Sequence, residues 1–213
     1  RTAELMASRR GLVQTLARAA EYRDNETAHH IMRVGRFVGI IARELDMPEE
    51  IAELLEEASL LHDVGKIGIP DAILLKPGKL SEEEMVVMKT HSEKGREMID
   101  DLLVSFGLEN VAHVDILRNI ASYHHESVNG SGYPDNRSGE DIPLEARIVA
   151  VADVFDALTS RRSYKEAWSN EEAFATLQQL AGDKLDQDCV DALLAHQAEI
   201  REIQLRFREN TRG

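Results

Sequence analysis

Apolar residues recur along this chain at three- and four-residue steps. Ile31, Val34, Val38, Ile41 and Leu45 form one such stripe, and Ile51, Leu54, Leu55, Ala58 and Leu61 form a second. Ile116, Ile120 and Tyr123 mark a third, and Ile148, Val151, Ala152, Phe155 and Leu158 a fourth. A period near 3.6 residues belongs to a helix with one face on a core. Pro48 stands just inside the start of the second helix, where its missing N–H costs nothing. Ser81 followed by Glu84 spells a capping box for a helix from about 82. Pro143 opens the fourth helix, two more start near Asn170 and Asp186, and another covers about 2–22. No segment alternates as a half-buried strand would. The pattern predicts an all-α fold, a bundle of about seven to eight helices.

Two long loops interrupt it, Gly65 to Lys79 and Ser127 to Ile142. Loops of that length in a compact helical domain often carry function.

With 43% hydrophobic and 30% charged residues in 213, the chain can bury one core and expose a polar surface. Its formal net charge of −14 repels a phosphate polymer, which argues against a nucleic-acid polymer as partner. No apolar run approaches the roughly 20 residues that span a bilayer, so no membrane contact is expected. The single cysteine, Cys189, cannot form an internal disulfide and fits a cytoplasmic setting. The chain begins Arg1-Thr2-Ala3-Glu4, without Met or a signal peptide. A length of 213 residues predicts one domain over 1–213, cut from a longer chain. Its first helix (1–22) would act as a connector from a regulatory N-terminal domain.

The eight histidines matter by position. His62-Asp63 and His124-His125 stand at the ends of apolar helices, each before a long loop. Glu26 and His30 are four apart, and Asp153 and Asp156 three apart, so each pair shares a helix face. His91 falls in the helix after the first loop. Singly, each such residue is ordinary. Asp153 is harder to dismiss, because Arg147–Leu158 surrounds it with apolar neighbours, and an unpaired carboxylate there is costly. Imidazole and carboxylate donors without thiolate suit Fe, Mn, Zn or Co. Adjacent His62 and Asp63 diverge by about 100° on a helix, so they serve two neighbouring ions better than one. Ions about 3.5–4 Å apart clamp a phosphoryl oxygen and turn a bridging water into hydroxide. Asp63, with two oxygens, can bridge them.

His62-Asp63-Val64-Gly65-Lys66 resembles the signature of the HD metal-dependent phosphohydrolases. His124-His125-Glu126 followed by Gly130-Ser131-Gly132-Tyr133-Pro134 resembles their HD-GYP branch. The likeness extends to Thr27–Val34, Lys76–Leu80, His91 and Ala152–Lys165, over about residues 20–195. It implies a helical bundle of the HD-domain type. The implied activity is a phosphodiesterase that opens cyclic di-GMP to linear pGpG, with a further cut to GMP. Two or three divalent ions, Fe or Mn, are implied as cofactors. The matching ligand positions are Glu26, His30, His62, Asp63, His91, His124, His125 and Asp153. Glu26 is the ligand of members with a third ion. Asp63 and Lys66 match catalytic positions, with Lys66 protonating the leaving oxygen. Asp156, Arg162, Lys165, Tyr133 and Pro134 match substrate-binding positions, and His29, His113 and His196 match none. Ser127 and Asn129 stand where the family usually has Arg and Asp, so the loop is expected to lack an internal ion pair. Two other readings use the same residues. One is an HD phosphohydrolase acting on another nucleotide. The other is a catalytically weak cyclic-dinucleotide-binding or docking module that recruits a diguanylate cyclase.

Overall fold

The computed structural model describes residues 28–110, 112–160 and 167–208. Among them the chain is all helix and turn, with no strand. The elements are α1 (Ala28–Glu44), α2 (Glu49–Ala58), α3 (Asp71–Leu74), α4 (Glu82–Lys89), α5 (His91–Ser105), α6 (Val114–Tyr123), α7 (Leu144–Thr159), α8 (Asn170–Leu180), α9 (Gln187–Leu194) and α10 (Gln197–Arg206). The predicted first helix over 2–22 lies outside the described residues.

The expected caps are present. Ser81 and Glu84 make a reciprocal capping box on α4, and Ser169 with Glu172 makes a second on α8. The Asp186 side chain accepts from the Cys189 N–H at the start of α9. The stretch from 82 is two helices, because the chain breaks at Thr90, whose hydroxyl donates to the Val87 carbonyl. His91 therefore opens α5 rather than lying within a longer helix.

α1 is the central strut, packed against α2 and α7. Its stripe joins Val34, Phe37, Val38 and Ile41 to Leu55, Ile148, Val151, Phe155, Leu177 and Leu193 in the main core. Phe155 meets Phe37 edge-on at 5.2 Å and stacks on Phe174 at 5.3 Å. Full burial of such a ring contributes about 1.5–3 kcal/mol. A smaller core joins Ile31, Leu61 and Val64 to Ile99 and Leu103 of α5 and Ala121 of α6.

Gly65, where the first long loop begins, lies inside a 3-10 turn (Val64–Gly68), and its use is close approach. A Cβ there would sit 1.9 Å from the His91 carbonyl and 2.3 Å from the Gly95 nitrogen. That contact seats the His62-Asp63 corner on the first turn of α5. Gly132 acts likewise, since its Cβ would sit 2.4 Å from Glu126 Cα and from the Ser127 nitrogen. The second long loop is thereby folded back onto the end of α6.

Candidate metal centre

Five separate places in the chain deliver donors to one interior. His30 comes from the first turn of α1. His62 and Asp63 come from the corner between two 3-10 turns (Ser59–Leu61 and Val64–Gly68). His91 opens α5, His124 and His125 follow α6, and Asp153 lies midway along α7. They form two adjoining groups: His30, His62 and Asp153 in one, and Asp63, His91, His124 and His125 in the other. Within each, one donor atom per residue lies within 4.8 Å of the rest.

Asp63 joins the groups. Its Oδ1 lies 3.2 Å from His91 Nε2 and 3.5 Å from His124 Nε2. Its Oδ2 lies 3.2 Å from His62 Nε2 and 2.9 Å from Lys66 Nζ. On the other side, His30 Nε2 lies 3.7 Å from Asp153 Oδ1.

The ring orientations have local causes. His62 turns Nδ1 to the Ser59 carbonyl at 2.7 Å, His91 to Met88 at 2.8 Å, and His124 to Ile120 at 2.9 Å. Each carbonyl takes the Nδ1–H, so each Nε2 points inward and offers a lone pair wherever its ring is neutral. The Nε2 atoms of His62, His91 and His124, and Oδ1 of Asp63, are buried without a hydrogen-bond partner. Leaving buried polar atoms unpaired costs about 1–3 kcal/mol apiece. Cations among them would recover that cost, so the residues fit divalent ions, and their N/O chemistry suits first-row ions such as Fe, Mn, Zn or Co. The thiol of Cys189 is buried in the main core and contributes nothing here.

The electrostatics point the same way. Burial favours the neutral ring at His62, but Asp63 beside it and Asp153 beyond push it up to about 10. Burial lowers His124 and holds His125 well below the usual range, which leaves both rings neutral. Asp63 resists the upward pull of burial because Lys66 and His62 hold its carboxyl well below the ordinary value. The Asp63 carboxylate thus draws positive charge, here onto His62, while His124 and His125 beside it stay neutral.

Tyr133 stacks on His125 at 4.7 Å, with Lys89 Nζ 5.0 Å from its ring, and burial pushes the phenol up. Its ring lies beside the second group, and half-buried Pro134 follows it. Asp156 departs from expectation. It is wholly buried, and its two oxygens meet His30 Nδ1 (2.8 Å), Arg33 Nε (2.6 Å) and Nη2 (3.0 Å), and the Ser160 hydroxyl (2.9 Å). A carboxylate so enclosed is not presented to a substrate; it stands behind His30. Glu26, Arg162 and Lys165 lie outside the described residues.

Two residues were missed as contributors. Arg33 sits in the Thr27–Val34 motif without an assigned role, and its partner Asp156 is 123 positions away. Glu126 is buried and accepts the Asp135 N–H at 2.7 Å, which fixes the loop beyond it. Burial raises its carboxyl above the ordinary value. The loop does hold an internal ion pair, Arg137 Nε to Asp135 Oδ2 at 3.4 Å, while Asn129 donates to Asp183 at 2.9 Å and accepts from the Ser131 N–H at 3.0 Å. Arg137 covers the Tyr123 ring at 3.9 Å and donates to its hydroxyl. An ion pair, amide hydrogen bonds and a cation–π contact together tether this loop.

A family model described as an HD domain matches residues 4–189. A cyclic di-GMP phosphodiesterase response regulator of Xanthomonas campestris is 48% identical over 200 residues, covering 94% of this chain and 51% of that protein. A 3'3'-cGAMP-specific phosphodiesterase 2 of Vibrio cholerae is 39% identical, covering 91% of this chain and 36% of that protein. Among solved structures, an HD-GYP-type protein of Bdellovibrio bacteriovorus aligns with a TM-score of 0.59 at 22% identity, covering 77% of this chain and 50% of that one. At that identity the likeness bears on the fold alone. The chain spans about half the length of the curated relatives it matches.

Proposed function

We propose, for a chain that belongs to the HD domain family and to its HD-GYP branch, the metal-dependent hydrolysis of cyclic di-GMP to linear pGpG, with GMP as the further product. The observation that carries the reading is the sharing of one carboxylate, Asp63, between two adjoining donor groups. The ligands in this reading are His30, His62 and Asp153 for one ion and Asp63, His91, His124 and His125 for its neighbour. Glu26 would serve a third. When bound, Fe or Mn ions supply Lewis acidity toward a phosphoryl oxygen and lower the pKa of water.

The chain's own residues do the rest. Lys66, 2.9 Å from Asp63, holds a proton at the rim of the centre and delivers it to the leaving 3′ oxygen. Tyr133 and Pro134 form the wall against which the substrate lies. Arg162 and Lys165 are assigned to the phosphates on the strength of the family motif, a fork and a mobile point charge respectively. Asp156 is assigned to holding His30 rather than to the substrate. A preceding regulatory domain fits the greater length of the relatives. A cytoplasmic setting fits the unpaired, buried Cys189. Among the described residues no helix is long and apolar enough to cross a membrane.

A second substrate reading, 3'3'-cGAMP, is favoured by the similar Vibrio cholerae relative of that name. The test is turnover of both cyclic dinucleotides after anaerobic loading with Fe(II) or Mn(II), beside Asp63→Ala. Faster loss of cyclic di-GMP, abolished by the substitution, is expected. Equal rates in parent and variant overturn the mechanism. Binding without product favours the docking module and its diguanylate cyclase partner instead.

A further inference from the structure

His30 differs from the other inward-facing imidazoles in what holds it. His62, His91 and His124 each lean on a carbonyl three or four residues back in their own turn. Their orientation is therefore set by local helix geometry. His30 Nδ1 instead meets Asp156 Oδ2 at 2.8 Å, across 126 positions of sequence. That carboxylate is gripped on both oxygens by Arg33, Nε to Oδ1 at 2.6 Å and Nη2 to Oδ2 at 3.0 Å. Arg33 is three residues after His30, so ring and fork share one face of α1. Arg33 is tethered in turn, through Nη1 to the Phe207 carbonyl at 3.0 Å and Nη2 to the Ser160 hydroxyl at 2.8 Å. All three side chains, His30, Arg33 and Asp156, are buried.

We propose that Arg33 is a positioning residue for the ion assigned to His30, His62 and Asp153. It fixes the Asp156 carboxylate, which fixes the His30 ring, and so couples that half of the centre to the ends of α7 and α10. A carboxylate behind an imidazole also makes the far nitrogen a better donor, and loss of such a partner typically costs about 10–100-fold in metal affinity. Because His91 and His124 rest on their own backbone, the neighbouring group of Asp63, His91, His124 and His125 should not depend on Arg33.

The proposal rests on the metal reading above, and the experiment separates the two. Chelator-stripped full-length chain is titrated with Mn(II) by calorimetry, and bound metal is counted by mass spectrometry. The parent is expected to take up at least two ions. Arg33→Gln should weaken one step by about 10–100-fold and leave the other within about twofold. Arg33→Lys should restore it only in part, because a point charge cannot hold both oxygens. Arg33→Gln should add nothing to His62→Ala, yet add fully to His91→Ala, since only the first pair serves one ion. Helical circular dichroism of the metal-free variants shows whether they fold. If Arg33→Gln does not, Ser160→Ala, which removes one grip on Oδ2 without touching a charge, should weaken the same step less. A parent that binds no ion overturns the metal reading and the proposal with it. A parent that binds two, with variants that bind both unchanged or lose both alike, overturns the proposal alone.

Discussion

Phe155 and Asp156 are neighbours on α7, both wholly buried, and they face two different interiors. Phe155 closes an aromatic stack with Phe37 and Phe174, where nothing polar needs a partner. Asp156 faces His30 and Arg33, at the edge of a cluster in which Nε2 of His62, His91 and His124 and Oδ1 of Asp63 lack hydrogen-bond partners. The first interior stabilises the fold by itself. The second costs stability until something positive enters it. One helix thus carries a region built for packing and a region built for binding, and the two should answer differently to the same kinds of change.

The largest difference is expected in chemistry. Asp63→Asn keeps the volume but removes the bridging charge, and turnover of cyclic di-GMP should fall by about 10⁴-fold or more, equivalent to ~5 kcal/mol. Steady-state kinetics on metal-loaded protein measures it, and a loss under tenfold would contradict the bridging role. On the other side, Phe155→Ala should cost about 3–5 kcal/mol of unfolding free energy by urea titration. If it costs under 1 kcal/mol, the aromatic stack is not what holds α1, α7 and α8 together.

Metal removal comes next. A divalent ion at 100 times its dissociation constant stabilises the folded chain by about 2.7 kcal/mol. Melting with Mn(II) and with chelator should differ in the parent and in Phe155→Ala, and much less in Asp63→Asn. A shift as large in Asp63→Asn would place the ions elsewhere.

The smallest effect is on pH. Burial would raise the Asp156 carboxyl, but the hydrogen bonds from His30 and Arg33 hold it at about 2, against an ordinary 3.8. A folded value below the unfolded one means the stabilisation is fully present above about pH 4 and disappears as pH falls through about 2. Its size is about 2 kcal/mol. Metal-free parent should lose that much more stability than Asp156→Asn between about pH 4 and pH 2 in urea titrations. Parallel curves would show that Asp156 is not so held.

Local rules account for what the sequence made legible. The stripes from Ile31 to Leu45 and from Ile148 to Leu158 predicted buried helix faces, and Ser81 with Glu84 predicted a cap, because such signals lie within one or two turns. The meeting of His30, His62, Asp63, His91, His124, His125 and Asp153 followed from an ordered motif series, though no spacing rule supplies the distances. Asp156 was misplaced because its partners are 123 and 126 residues away, beyond any periodicity. The role of Gly65 was hidden for the same reason: its need for no side chain comes from the His91 carbonyl, not from its own turn.

Anomalous diffraction from Mn(II)-loaded crystals bears most directly on the shared carboxylate. Two peaks about 3.5–4 Å apart, one on each side of Asp63, are predicted. A single peak away from Asp63, or none among these histidines, would contradict the account.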